Sequence, residues 1–174
     1  MTLSPYDITG EAFWFQRYDV DALRQLVLTL PAAPVVINIG AGFGTSALTI
    51  VEARADAFVF SIDICERPDE EMHLRQAGLW EQHRVVRILG RSQDVGARWP
   101  LPVAMVFVDG EHDLDGVQGD AVAWLPHIRP GGIIAFHDYG RESLPNVKDA
   151  VDAVMAGYKV ILHAMTLIAF RVPE

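Results

Sequence analysis

Apolar residues fall along this chain in two rhythms. The first is the short, largely apolar run, at Val35–Ile39, 57–62, 84–89, Val103–Val108 and 133–136. Runs of this length, rich in Val, Ile and Phe, predict strands buried on both faces. The second rhythm is helical. Val20, Leu23, Val27 and Leu30 recur at helix spacing behind Asp19, a residue type suited to an N-cap, and Pro31 and Pro34 end the pattern. A second helix is expected to about Arg54, and a third opens at Pro68 with Glu70 and Glu71 in its first turn and closes at Gly78. Val117, Ala121, Trp124, Leu125 and Ile128 trace one helical face. Pro130-Gly131-Gly132 then makes the turn into the fifth strand. Pro145 suits the first turn of a last helix with Val147, Val151, Val154 and Met155 on its apolar face. The runs 159–163 and 166–170 are separated only by Ala164-Met165, which is too close for a helical crossover and predicts a hairpin.

Strands alternating with helices imply an α/β fold, a mostly parallel sheet with helices on both faces. Five such strands and the closing pair give seven, with one antiparallel strand contributed by the C-terminal hairpin. Residues 1–174 read as one domain, with 1–34 an N-terminal cap segment and helix, and 35–174 the core. The segment 1–18 is irregular and carries Tyr6, Phe13, Trp14, Phe15 and Tyr18. These aromatics either cap the sheet or a partner subunit, or wall a substrate pocket.

Composition narrows the class. A chain of 174 residues with 51% apolar content holds one real core and is not disordered. No apolar run is long enough to span a membrane, and the N-terminus lacks a basic stretch followed by an apolar one. The single Cys65 excludes an internal disulfide framework, so a cytoplasmic location is the expectation. A net charge of −9 is a poor footprint for holding phosphate backbones, which argues against a nucleic-acid substrate.

Candidate chemistry begins after the first strand, at Gly40-Ala41-Gly42-Phe43-Gly44-Thr45-Ser46. A strand turning through glycines into a helix N-terminus brings backbone N–H groups up to a ligand, unless the glycines serve tight packing alone. A dinucleotide fingerprint needs its third glycine where Thr45 stands, and a phosphate loop needs a lysine where Gly44 stands. The remaining pattern, G-x-G-x-G, resembles the class I S-adenosylmethionine-dependent methyltransferases. The resemblance implies the Rossmann-like methyltransferase fold over about residues 19 to 174. It also implies cofactor contacts from Asn38, Gly40, Ala41, Gly42, Gly44, Thr45 and Ser46. Asn38 departs from the family's usual acid at its position.

Ligands of open α/β sheets sit beyond the carboxyl ends of the strands. The second strand ends at Asp63-Ile64, where a carboxylate suits the two hydroxyls of a ribose, as it would in a dehydrogenase. The third end offers Ser92 and Gln93, which the resemblance places against the adenine, with Arg91 where an acid is often found. Asp109-Gly110-Glu111-His112 and His137-Asp138, at the fourth and fifth ends, resemble the small-molecule O-methyltransferases of the catechol and macrolide-sugar type. That likeness implies a divalent metal on Asp109, His137 and Asp138. His137 stands where the family has a carboxylate, so the ion would be Mg²⁺ or, given the imidazole, a transition metal. It also implies cofactor contacts from Asp109 and Gly110, and catalytic roles for Asp109 and for His112, a general base by type and position. His137 could instead bond nearby backbone, and His112 could be a solvent-facing loop residue.

Glu111, Asp113, Asp115 and Gly116 imitate the opening of a calcium loop, but Val122 stands where its closing Glu is required, so Asp113 or Asp115 is better read as a helix cap. A Ser-x-Gly elbow and the Asn/Asp-Pro-Pro-aromatic motif of nucleobase-amine methylation are both missing. The expectation is an O-methyltransferase for a small hydroxylated molecule, such as a sugar or a natural-product intermediate, acting as a homodimer. A non-catalytic cofactor-binding or interaction protein and an NAD-linked oxidoreductase are the alternatives.

Overall fold

A computed structural model describes residues 2–9 and 14–174; Phe13 of the aromatic cluster lies outside them. Seven strands form one sheet: β1 (Val35–Ile39), β2 (Phe58–Asp63), β3 (Val85–Leu89), β4 (Val103–Val108), β5 (Ile128–Phe136), β6 (Lys159–Ala164) and β7 (Leu167–Arg171). Their order is β3-β2-β1-β4-β5-β7-β6. The first five are parallel, and β7 runs antiparallel between β5 and β6. This is the predicted architecture, with the hairpin inserting its second strand and leaving its first at the edge. The chain reverses between β1 and β4, so the strands on either side of that point open a crevice at their carboxyl ends.

Two apolar layers hold the sheet. On one face α2 (Arg17–Leu28) and α3 (Thr45–Ala53) pack Leu23, Val27, Leu48 and Ile50 against Val36, Met105 and Phe107. On the other, α6 (Leu114–Trp124) and α7 (Pro145–Val154) pack Val117, Trp124, Val147 and Val151 against Ile37, Val106 and Phe136. β4 is buried at every position because both layers cover it, which explains its unbroken apolar run.

Three boundaries differ from the sequence expectation. The segment before α2 is not wholly irregular: Ser4 caps a short helix, α1 (Pro5–Ile8). α2 starts earlier than Asp19. Gln16 is the N-cap and Asp19 sits in the first turn, its Oδ2 accepting the Gln16 N–H at 2.8 Å. β5 begins at Ile128, so Pro130-Gly131-Gly132 lies within a strand. Its pairing with β4 slips between Val103 and Met105, and that irregularity accommodates Gly131 at φ 71°.

Candidate active site

The glycine turn joins β1 to α3. Gly40, Gly42 and Gly44 have φ of 87°, 50° and 83°, a region in which side chains are strained. A Cβ on Gly40 would lie 2.0 Å from the Asp109 carbonyl oxygen, so this glycine lets the turn close on the end of β4. A Cβ on Gly44 would lie 2.8 Å from Cα of Glu70 on α4 (Pro68–Gln76), so it serves packing. Gly42 has no atom within 4 Å of the same position and leaves room for a ligand against bare backbone. Asn38 is wholly buried behind the turn, where its Nδ2 donates to Gly40 O at 3.2 Å and to Ser61 Oγ at 3.1 Å.

Asp63 closes the turn from β2. Its Oδ2 accepts from the Ala41 N–H and from Arg67 Nε, both at 3.0 Å, and its Oδ1 accepts from the Cys65 N–H at 2.8 Å. Ser92 and Gln93 do not sit in an open loop; they start a short helix, α5 (Ser92–Gly96). Ser92 is buried and its Oγ accepts from Trp124 Nε1 at 2.8 Å.

The ends of β4 and β5 carry a dense charge cluster. Asp138 has φ 57°, an unusual value for a residue with a side chain, and this left-handed turn places its carboxylate among three basic groups. Its Oδ2 lies 3.0 Å from His112 Nε2 and 3.3 Å from His137 Nδ1, and its Oδ1 accepts from Arg141 Nη1 at 2.7 Å. Burial would raise its pKa, but His112, His137 and Arg141 hold it well below the usual carboxylate range. His137 is sealed in. Its Nδ1 is 3.0 Å from Asp109 Oδ1, and Phe15 stacks on the ring at 5.1 Å. Its Nε2 is 3.2 Å from Asp19 Oδ2, off the line of a good hydrogen bond. Burial opposes its charge, yet Asp109, Asp138 and Asp19 outweigh that and push its pKa up to about 12. His112 is half-exposed, and its bond to Asp138 raises its pKa against the opposing effect of burial.

These groups surround a cleft of about 440 Å³. Gly40, Ala41, Gly42, Thr45, Ser46, Asp63, Ile64, Ser92, Gln93, Asp109, Gly110, His112 and Asp138 all line it. Asn38, Gly44 and His137 stand behind that lining. Asp109, His137 and Asp138 present ligand atoms within 4.8 Å of one another. Asp19, Arg67, Asp120 and Arg141 were not foreseen as site residues. Asp19 and Asp120 left a signal, because each is an acid on the apolar face of its helix, beside Val20 and Leu23 or between Val117 and Ala121. An acid at such a position must have a partner inside the fold.

The parallel sheet, the glycine turn and the polar strand ends define a Rossmann-like fold with a polar cleft beyond the carboxyl ends of its strands. A family model described as a methyltransferase domain matches residues 37–139, more than half of the chain, and the chain belongs to that family. The fold is similar to a candidate O-methyltransferase from Klebsiella pneumoniae, at 14% identity and TM-score 0.79 over 98% of this chain and 88% of that one. It is also similar to the O-methyltransferase TomG from Streptomyces achromogenes, involved in tomaymycin synthesis and solved in complex with SAM. That match has 20% identity and TM-score 0.70 over 89% and 79% of the two chains. A candidate rRNA methylase from Clostridium thermocellum matches at 17% identity and TM-score 0.69 over 87% and 95%. At these identities the likeness is one of fold. Among the described residues no helix is long and apolar enough to cross a membrane.

Proposed function

We propose that this methyltransferase moves the methyl group of S-adenosylmethionine to a hydroxyl of a small molecule, with His112 as the base. The observation that carries the reading is the pair His112–Asp138, 3.0 Å apart, at the mouth of the cleft beside the open backbone of Gly42. The cofactor, when bound, supplies an electrophilic methyl on a sulfonium. Gly42 leaves space for it, and Asp63 is placed for the ribose if Arg67 yields part of its share of the carboxylate. His112 Nε2 lies 3.0 Å from Asp138 Oδ2, which leaves Nδ1 to take the substrate hydroxyl's proton as the methyl passes from sulfur to oxygen. Arg141 and His137 fix Asp138, so the imidazole is held in one orientation.

Asp109, His137 Nδ1 and Asp138 fit a divalent ion, with the Asp19 carboxylate 3.2 Å from the other ring nitrogen of His137. One nitrogen and two carboxylates suit a transition metal better than Mg²⁺. Such an ion would acidify a coordinated hydroxyl. The acceptor we propose is small and not nucleic acid, because Asp63, Asp69, Asp109, Glu111, Asp120 and Asp138 all line the cleft. We take the protein to be a cytoplasmic homodimer. The test is transfer of labelled methyl from S-adenosylmethionine to a panel of hydroxylated acceptors, before and after EDTA. Transfer that is lost in EDTA and restored by a divalent ion is expected. No transfer to any hydroxyl, with cofactor bound, would favour a binding protein.

A further inference from the structure

Asp120 is a buried acid of the cleft that the proposed chemistry leaves without work. It projects from α6, is 2% exposed, and its Oδ1 has no hydrogen-bond partner among the described residues. Burying a carboxyl oxygen without a partner is costly. Burial pushes its pKa up to about 6, with Glu111 adding to this and Ser92 and Arg91 opposing it. Its surroundings are built to leave it available. The Ser92 hydroxyl accepts from Trp124 Nε1, so its own proton points at one side of the carboxyl group only. Gly110 faces it from the end of β4, and a Cβ there would stand 3.6 Å from Asp120 Oδ2 and 3.1 Å from Ile39. A glycine at that position keeps open the space in front of the acid.

The cleft itself says what that space receives. This argument rests on the cofactor reading above. The methyl group must face His112 and Asp138, and the ribose must reach Asp63. The base then occupies the remaining volume, bounded by Ile64, Gly90, Ser92, Gln93, Gly110 and Asp120. Adenine offers ring nitrogens that only accept, and one exocyclic amine that donates. A buried carboxyl group lacking a donor matches that amine. Rotation about its last torsion exchanges the two oxygens, so either can turn to the ligand.

We infer that Asp120 is the residue that reads the base of the cofactor, accepting a hydrogen bond from the exocyclic amine of adenine. A site built around such a bond rejects an analogue that lacks the donor. S-adenosylhomocysteine and its 6-deamino purine analogue differ at this position, the second carrying hydrogen in place of the amine and no N1–H. Calorimetry should give wild-type protein at least a tenfold preference for the adenosyl compound. In Asp120→Asn, whose side chain can donate as well as accept, that preference should shrink to threefold or less. Asp120→Ala should show the same loss if the Asn variant folds poorly. Wild-type protein that binds both compounds equally overturns the inference, as does a preference that survives in both folded variants. In either case S-adenosylhomocysteine still binds and the cofactor reading stands. If it does not bind wild-type protein at all, both readings fall together.

Discussion

The two ends of the cleft are made of different materials. At the β1–β2 end the shape is set by backbone: three glycines in left-handed conformations, a turn closed onto the Asp109 carbonyl, and Asp63 stitched to the Ala41 N–H. At the β4–β5 end it is set by side-chain charge. Asp138 meets His112, His137 and Arg141, while His137 meets Asp19 and Asp109. A backbone cradle binds a common group whatever the substrate, since its donors belong to every residue. A charge network positions particular atoms and fails one residue at a time. The first end is therefore expected to govern cofactor affinity, and the second to govern turnover.

Opposite single changes at the two ends should separate these quantities. His112→Ala should lower turnover by about 10²- to 10⁴-fold, the usual worth of a positioned base. Its affinity for S-adenosylhomocysteine should stay within about threefold, since the lost imidazole is no part of the backbone cradle. Asp63→Ala should do the reverse. Losing the ribose acceptor and the tie to Ala41 should weaken S-adenosylhomocysteine by tenfold or more, on the order of 1.4 kcal/mol. Calorimetry with single-turnover kinetics reads both. If His112→Ala loses cofactor and keeps its rate, the division of labour is wrong and His112 is a binding residue.

The same contrast explains what was legible in the sequence. β1, its glycines and Asp63 are contiguous or sit at strand ends, and backbone conformation leaves a local mark such as G-x-G-x-G. The alternation of apolar runs and helical faces likewise carried the strand count and the hairpin, because burial on one or both faces is written directly into residue order. Even here one glycine has a second reason: Gly44 is required by Glu70 on a different helix, which no local pattern shows. The charge network is assembled from α2, the end of β4, the end of β5 and the loop beyond it. Asp19 reads as a helix cap, and its Oδ2 does accept the Gln16 N–H, but the same oxygen also meets His137 and its Oδ1 accepts from Thr166 Oγ1. A residue serving both purposes shows only the nearer one in sequence.

A smaller effect tests whether burial without a partner costs what the comparison assumes. In the unligated protein the Asp120 pKa is about 6, against 3.8 for the free group. The folded form thus holds this proton more tightly than the unfolded form. The resulting stability is fully present below about pH 3.8 and is lost as pH rises through about 6. Above that, wild-type protein carries a buried charge costing on the order of 3 kcal/mol. Asp120→Asn carries none, so it should be the more stable form at pH 8 and approach wild type as pH falls to 5. Urea titrations at the two pH values measure this. Equal stability at both would show that the Asp120 carboxylate is adequately solvated through the cleft.

The smallest expected effect concerns the rim. Of the N-terminal aromatics, Tyr6 packs partly on the chain's own core and Phe15 is buried on His137. Trp14, at the cleft edge, remains 67% exposed, and Tyr18 39%. Phe15 is thus spent on its own subunit, while Trp14 stays exposed for a second copy to cover. What remains is one large apolar side chain beside an open cleft, and methyl transfer benefits when water is kept out. Two-fold pairing is the commonest way to bury such a surface. Sedimentation at micromolar concentration should give twice the 19.2 kDa chain mass. Trp14→Ala should weaken the pair and raise the Michaelis constant for the acceptor by a few-fold, in line with loss of about 1 kcal/mol of contact. Turnover at saturating acceptor should hold, because Trp14 supplies no acid or base to the charge network. A wild-type monomer would refute the dimer. If the Michaelis constant nevertheless rose in Trp14→Ala, Trp14 would be a wall of the acceptor pocket within a single chain.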